Sequence, residues 1–204
     1  MTIKTERLVL RPWTEKDAPA LYKLAKDPEV GPIGGWPAHR SEAQSKDIIR
    51  TVLKKKDNYA VTLKDGTLIG CAGFLFGDDA NDMIFDDEAE LGYWLGRDYW
   101  GQGYATEASE GLLRYAFTKL DLSRVIATHY LENEASRHVL DKCGFIYEYE
   151  EDDVEQPLIG QSKTVCYLSI LQEDWQDAHP KKKIPHGNKI GKTAKNILVR
   201  EQNR

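Results

Sequence analysis

With 204 residues, 41% of them hydrophobic and 30% charged, the chain has the size and balance of one globular domain, or a domain with a tail, able to bury a real core. No apolar run approaches the roughly 18 residues of a membrane span, and "MTIKTERLVLRPW" alternates where a secretory signal would set a basic segment before an apolar block. The net charge of −5 divides unevenly, with +6 on the segment from Trp175 onward and −11 on the remainder.

In chain order, "RLVLRPW" alternates like a strand and meets Thr14, with Asp17 three residues on, an N-cap signature before the helix "EKDAPALYKLAKD". "GPIGGWPAHR" is punctuated by glycine and proline and reads as a loop. Ser41 with Gln44 opens a second helix, on which Ile48, Ile49, Val52 and Leu53 form one apolar stripe. "NYAVTL", a turn at Lys64-Asp65-Gly66 and "TLIGCAGFLF" give a hairpin signal. The acidic connection "GDDANDMIFDDEAE" then leads to an apolar strand, "LGYWLG". Ala105, Ala108, Leu112, Ala116 and Leu120 predict an amphipathic helix over 104–119. "SRVIATHY" is a strand, Asn133 caps the short helix "EASRHVLDKC", Gly144 stands where a left-handed residue is wanted, and "FIYEYEE" and "KTVCYLSIL" are the last strands. The order predicts a mixed α/β domain ending near Trp175.

Between strand and helix, "YWGQGYATEA" places Gly101 and Gly103 where the first-turn N–H groups of the helix are unpaired and the helix dipole is positive. A phosphate suits such a place, because glycine lets an anion approach the backbone and allows positive φ; a tight turn alone is the other reading. A dinucleotide fingerprint would need glycine where Thr106 stands. "GNKIGKT" in the tail lacks one residue of a P-loop and has no strand before it.

"TERLVLRPWTEKDAPALY", "GWP" at 35–37, "ELGYWLGRDYWGQGYATEA" and "NEASRHVLDKCGF" resemble the GNAT superfamily of acetyl-CoA-dependent N-acetyltransferases, specifically its RimJ/RimL-like, ribosomal-protein branch, over about residues 2–171. The resemblance implies a GNAT fold: a twisted, mostly antiparallel sheet of about six to seven strands with splayed central strands and about four helices. The acetyltransferase domain is then 1–175, followed by a basic C-terminal extension, 176–204. It also implies that Trp100, Gly101, Gln102, Gly103, Tyr104, Ala105 and Thr106 bind the diphosphate of acetyl-CoA, the cosubstrate, through backbone N–H groups. By the same resemblance, backbone groups around Trp94 and Leu95 are expected to pair with the pantetheine arm and Asn133, Ser136 and Arg137 to complete the cofactor set. Arg137 and Lys142 are the basic residues able to approach its phosphates, a solvated helix face being the other reading. The amine attacks the thioester directly, without an acetyl-enzyme.

The family often has glutamine or arginine where this chain has Trp100, although an aromatic residue is ordinary in this branch. Where many members carry a proton-donating tyrosine, this chain has Leu140, so Ser136 is taken as the acid, with Cys143 and Tyr147 behind it. Glu90 is the base candidate, its alternative being a solvated strand-end carboxylate. Asn133 reads equally as a plain helix cap, and Ser136 as an exposed first-turn serine.

An α-amine of pKa near 7.8 is free base about one time in ten at pH 7, a lysine-type amine about once in 2,500, a gap of roughly 3.5 kcal/mol. The expected acceptor is therefore a protein N-terminal α-amine. The alternatives are a small cationic amine such as a polyamine or aminoglycoside, or a module that binds acyl-CoA without turnover. Thirteen carboxylates, Asp78 to Glu90 before the cofactor strand and Glu148 to Glu155 in the loop between the last strands, would draw in a cation; solvated loops are the plainer reading. Trp36 and Trp94 offer aromatic walls to the substrate's ammonium group, with core packing as the alternative. The three cysteines, Cys71, Cys143 and Cys166, point to a reducing compartment, the cytoplasm, and no residue pattern calls for a metal. The basic tail is expected to touch the acidic body of its own or a neighbouring chain, with weak RNA contact as the alternative, in a monomer or homodimer.

Overall fold

The computed structural model describes residues 1–81 and 84–180. The basic segment from 181 on, and with it the expected contact of the tail, lies outside the described residues, as does Asp82.

Eight strands form one sheet in the order β1-β2-β3-β4-β5-β6-β8-β7. They are β1 Ile3–Lys4, β2 Leu8–Pro12, β3 Asn58–Leu63, β4 Leu68–Leu75, β5 Glu88–Leu95, β6 Arg124–Tyr130, β7 Ile146–Gln156 and β8 Gln161–Leu171. The helices are α1 Ala18–Ala25, α2 Glu42–Ile48, α3 Tyr104–Tyr115, α4 Glu134–Lys142 and α5 Gln172–Ala178. All strand pairs are antiparallel except β5–β6.

The local signals explain where the helices start. Thr14 donates its N–H and its hydroxyl to Asp17, at 2.9 and 3.0 Å. Ser41 accepts the N–H of Gln44 at 3.1 Å, and Asn133 accepts that of Ser136 at 3.0 Å. The sheet alternation sends Tyr59, Val61, Ala72 and Phe74 against α3, α4 and α5, where Leu112, Leu113, Leu140 and Trp175 close the main core. The other face carries a second core of Trp13, Leu21, Ile49 and Ala60 under α1 and the end of α2.

Four elements differ from expectation. A two-residue strand, β1, pairs with β2, and α5 follows β8 directly and runs across position 175. Strand β5 begins at Glu88 rather than Leu91, because its first three residues pair in parallel with β6. The acidic run Glu148–Glu155 is strand, not loop: it lies within β7, paired with β8 on either side of irregularities at Tyr147–Tyr149 and Glu151–Val154, and its acidic side chains are exposed at the edge of the sheet. Like charge along an edge discourages pairing with another chain, which is one way such edges are kept soluble. Among the described residues, no helix is long and apolar enough to cross a membrane.

Candidate active site

Strands β5 and β6 pair only at Glu88–Arg124, Ala89–Val125 and Glu90–Ile126. Past those pairs each strand bonds its outer neighbour alone, β5 to β4 and β6 to β8. A V-shaped gap therefore opens immediately after Glu90. Alternation along β5 turns Trp94 toward the second core and Tyr93 and Leu95 toward the main one.

Two cavities occupy the gap, of about 850 Å³ and about 350 Å³. They share Ile33, Gly34, Tyr93, Trp94, Asn133 and Ser136 in their walls. The smaller one brings together Trp94, Leu95, Trp100, Gly101, Gly103, Tyr104, Ala105, Thr106, Asn133 and Ser136. Gln102 and Arg137 stand outside it. The Gln102 amide folds back to donate to the Asp98 carbonyl at 2.8 Å, and Arg137 lies beside Asp141 on the exposed side of α4. Lys142, the other basic candidate on α4, does line it, together with His138, and among the described residues no carboxylate does.

The glycine pair meets both demands placed on it. Gly101 and Gly103 have φ of +70° and +79°, and a Cβ at Gly101 would meet nothing within 4 Å. The first N–H of α3 with a partner is that of Glu107, bonded to Gly103 at 3.0 Å. Among the described residues, no acceptor takes the N–H groups of residues 101 to 106. Six free donors, a helix N-terminus and a wall without carboxylates among the described residues fit a diphosphate. One backbone group of the expected pantetheine edge is already used: the Leu95 carbonyl accepts the Trp100 indole N–H at 2.8 Å.

The loop is fastened to the N-terminal segment. The Glu107 carboxylate accepts the Thr5 hydroxyl at 2.5 Å and the Arg7 N–H and guanidinium at 2.6 Å, and Arg7 also donates to the Gln102 carbonyl at 3.0 Å. Burial works against ionisation of Glu107, yet these donors hold its pKa below the usual range.

The larger cavity holds Glu90, which is 2% exposed and not the solvated strand-end carboxylate weighed above. Its oxygens accept the Asn81 N–H at 2.6 Å, the Asn81 side-chain amide at 2.8 Å and the Thr128 hydroxyl at 2.8 Å. Trp36 meets Trp94 edge-on with ring centroids 5.3 Å apart, so the two expected aromatic walls are one cluster, continued by His39. His39 pairs with Ser45 at 2.8 Å, and burial lowers its pKa. Of the thirteen carboxylates, Glu90 and Glu155 alone line this cavity among the described residues.

The acid candidates separate by position. Cys143 is buried in the main core, its thiol pushed up to about 12 by burial. Tyr147 is exposed on β7 and lines neither cavity. Leu140 is completely buried. Ser136 lies in the wall common to both cavities, and beside it is a residue that sequence reasoning passed over. The Tyr93 hydroxyl stands 2.8 Å from Ser136 Oγ and 3.2 Å from the Ser136 carbonyl. Inside "LGYWLG" it reads only as strand core, so no sequence signal marked it.

Comparison with known proteins gives a consistent picture. Residues 7–146 match the profile of the acetyltransferase (GNAT) domain. The "Uncharacterized N-acetyltransferase p20" of Bacillus licheniformis is 33% identical over 180 residues, 85% of this chain and 98% of that protein. YdaF of Bacillus subtilis, which bears the provisional name of a ribosomal N-acetyltransferase, is 29% identical over 84% of this chain and 94% of its own. A GNAT-family acetyltransferase of Bacillus anthracis superposes with a TM-score of 0.75 at 27% identity, covering 85% of this chain and 99% of that one.

Proposed function

Because the chain belongs to the GNAT family and is an acetyl-CoA-dependent N-acetyltransferase, we propose that the amine it acetylates is the N-terminal α-amine of a protein, of the ribosomal-protein type. The wall of the larger cavity carries this reading. It is aromatic and neutral-polar, with Glu90 and Glu155 its only carboxylates among the described residues. A polyamine brings several ammonium groups, each needing a counter-charge once desolvated. A peptide N-terminus brings one, followed by amides that the side-chain amides of Asn58 and Gln156 can bond. The provisional name of YdaF points the same way.

In this reading the free N–H groups of residues 101–106, with Lys142 and His138, hold the cosubstrate, which supplies an acetyl group activated as a thioester. Glu90 accepts the proton lost by the amine, directly or through one water. A carboxylate has about four acceptor sites, and three donors leave room for one more. Ser136 returns a proton to the sulfur side. The catalytic unit is residues 1–175 and the basic segment 176–204 an extension of it. A small amine bearing a single charge is the second reading, favoured by the aromatic cluster of Trp36 and Trp94.

Peptides carrying varied N-termini, polyamines and aminoglycosides, each incubated with the enzyme and acetyl-CoA and read by mass spectrometry, test the acceptor. Acetylation at peptide α-amines is expected; turnover of small amines alone would overturn the reading.

A further inference from the structure

The wall common to the two cavities contains two hydroxyl groups in contact, and only one of them has a role so far. Tyr93 comes from β5 and Ser136 from the first turn of α4, so the pair ties the two elements that flank the gap. Both residues border both cavities. Ser136 is held at two points: its N–H donates to Asn133 Oδ1 at 3.0 Å, and its Oγ lies 2.8 Å from the Tyr93 hydroxyl. The tyrosine ring packs on the main core, which fixes the phenol oxygen in place.

We propose that Tyr93 is a positioning residue for Ser136: its phenol sets the direction of the Ser136 hydroxyl, so that the serine proton is offered to sulfur at the junction of the two cavities. When the phenol donates to Ser136 Oγ, the serine hydrogen is released to point into the smaller cavity. When the serine donates to the phenol instead, Tyr93 turns its own hydrogen to the Ser136 carbonyl, 3.2 Å away. The pair thus has two hydrogen-bonded states, of which the first presents a donor. Burial raises the phenol pKa of Tyr93, so it remains a donor at neutral pH. Transfer of the serine proton to a departing thiolate forms an S–H bond, and the phenol proton shifts onto the serine oxygen. The proton that Glu90 took from the amine returns through water in the larger cavity, whose wall Glu90 and Tyr93 share, to restore the phenol. The inference rests on the assignment of Ser136 made above.

Tyr93→Phe keeps the ring and removes the phenol oxygen. Binding of CoA and of desulfo-CoA, measured by titration calorimetry, gives a readout that needs no turnover. The native protein is expected to prefer CoA by about two- to tenfold, the worth of one hydrogen bond, and both Tyr93→Phe and Ser136→Ala to bind the two ligands alike. In steady-state assays Tyr93→Phe should lower kcat about tenfold or more while leaving the KM for acetyl-CoA within about twofold. The double variant should be no slower than Ser136→Ala, since the two act as a unit. Unchanged kcat and unchanged thiol preference in Tyr93→Phe, or losses that multiply in the double variant, would overturn the inference. Should Tyr93→Phe fail to fold, Ser136→Ala examines the pair from the helix side, and a retained thiol preference there overturns it equally. Failure of the native enzyme to acetylate any peptide N-terminus would count against the acceptor assignment alone, because the CoA comparison is independent of the acceptor.

Discussion

Glu90 is a buried carboxylate whose charge is balanced by hydrogen bonds and not by a cation: two donors from Asn81 and one from Thr128. A glutamine in its place offers one acceptor oxygen and turns an NH2 group toward donors. Glu90→Gln should therefore cost about 1–3 kcal/mol of stability for a partner left unmade, and slow acetyl transfer by roughly 10²–10⁴ through loss of the base. Affinity for CoA should stay within about twofold, because the residue borders only the larger cavity. Denaturant unfolding, kcat and CoA titration check the three parts, and an unaltered kcat would remove Glu90 from proton transfer. Residue type and approximate position were legible in the sequence. The burial was not, since Asn81 and Thr128 lie in other segments, brought to it only by the turn before β5 and by the parallel pairing with β6. Tyr93 was hidden for a similar reason: its partner is 43 residues away, on another element.

At the scale of elements, helix beginnings were the most readable feature, because a cap acts within three residues. The loop before α3 was readable too, as glycines at φ of +70° and +79° have few substitutes. Gly101→Val should cost about 1–3 kcal/mol of backbone strain without a packing clash, since a Cβ there meets nothing within 4 Å. Its side chain would stand over the free N–H groups, so CoA affinity, measured by titration, is expected to fall at least about tenfold; undiminished binding would count against the loop as the cofactor site. Strand limits were less readable. The residues at the start of β5 and along β7 are acidic and poor in intrinsic strand preference, and it is cross-strand pairing that makes them strand.

Across the whole molecule, two carboxylates with lowered pKa fasten distant segments and a third ties the end of β2 to the start of the first helix. Burial opposes the ionisation of Glu107 and Glu148, but Thr5 and Arg7 overcome it for the first, Ser169 and Arg124 for the second. Asp17 is likewise desolvated, and Arg11 with Thr14 outweighs that cost. A depressed folded pKa stabilises the protein above the unfolded value, near pH 4, and that stability is lost as pH falls through the folded value. Melting temperature should be level above about pH 5 and fall steeply below about pH 4. Glu107→Gln should melt lower at neutral pH and lose less on acidification; a parallel fall in both proteins would show that the carboxylate contributes nothing to the acid limb.

The fold family, through the resemblance its motifs carry, the order of the elements from β2 to β8, the helix caps and the glycine loop followed from the sequence alone, because each depends on neighbours within a few residues or on a recognisable motif. Tertiary structure decided where β5 leaves β6, that Glu90 is enclosed, that of the two basic candidates Lys142 and not Arg137 lines the smaller cavity, with His138 beside it, and that Tyr93 meets Ser136. Those outcomes depend on strand partners and helix rotation, which join residues far apart in the chain through packing that no local pattern encodes.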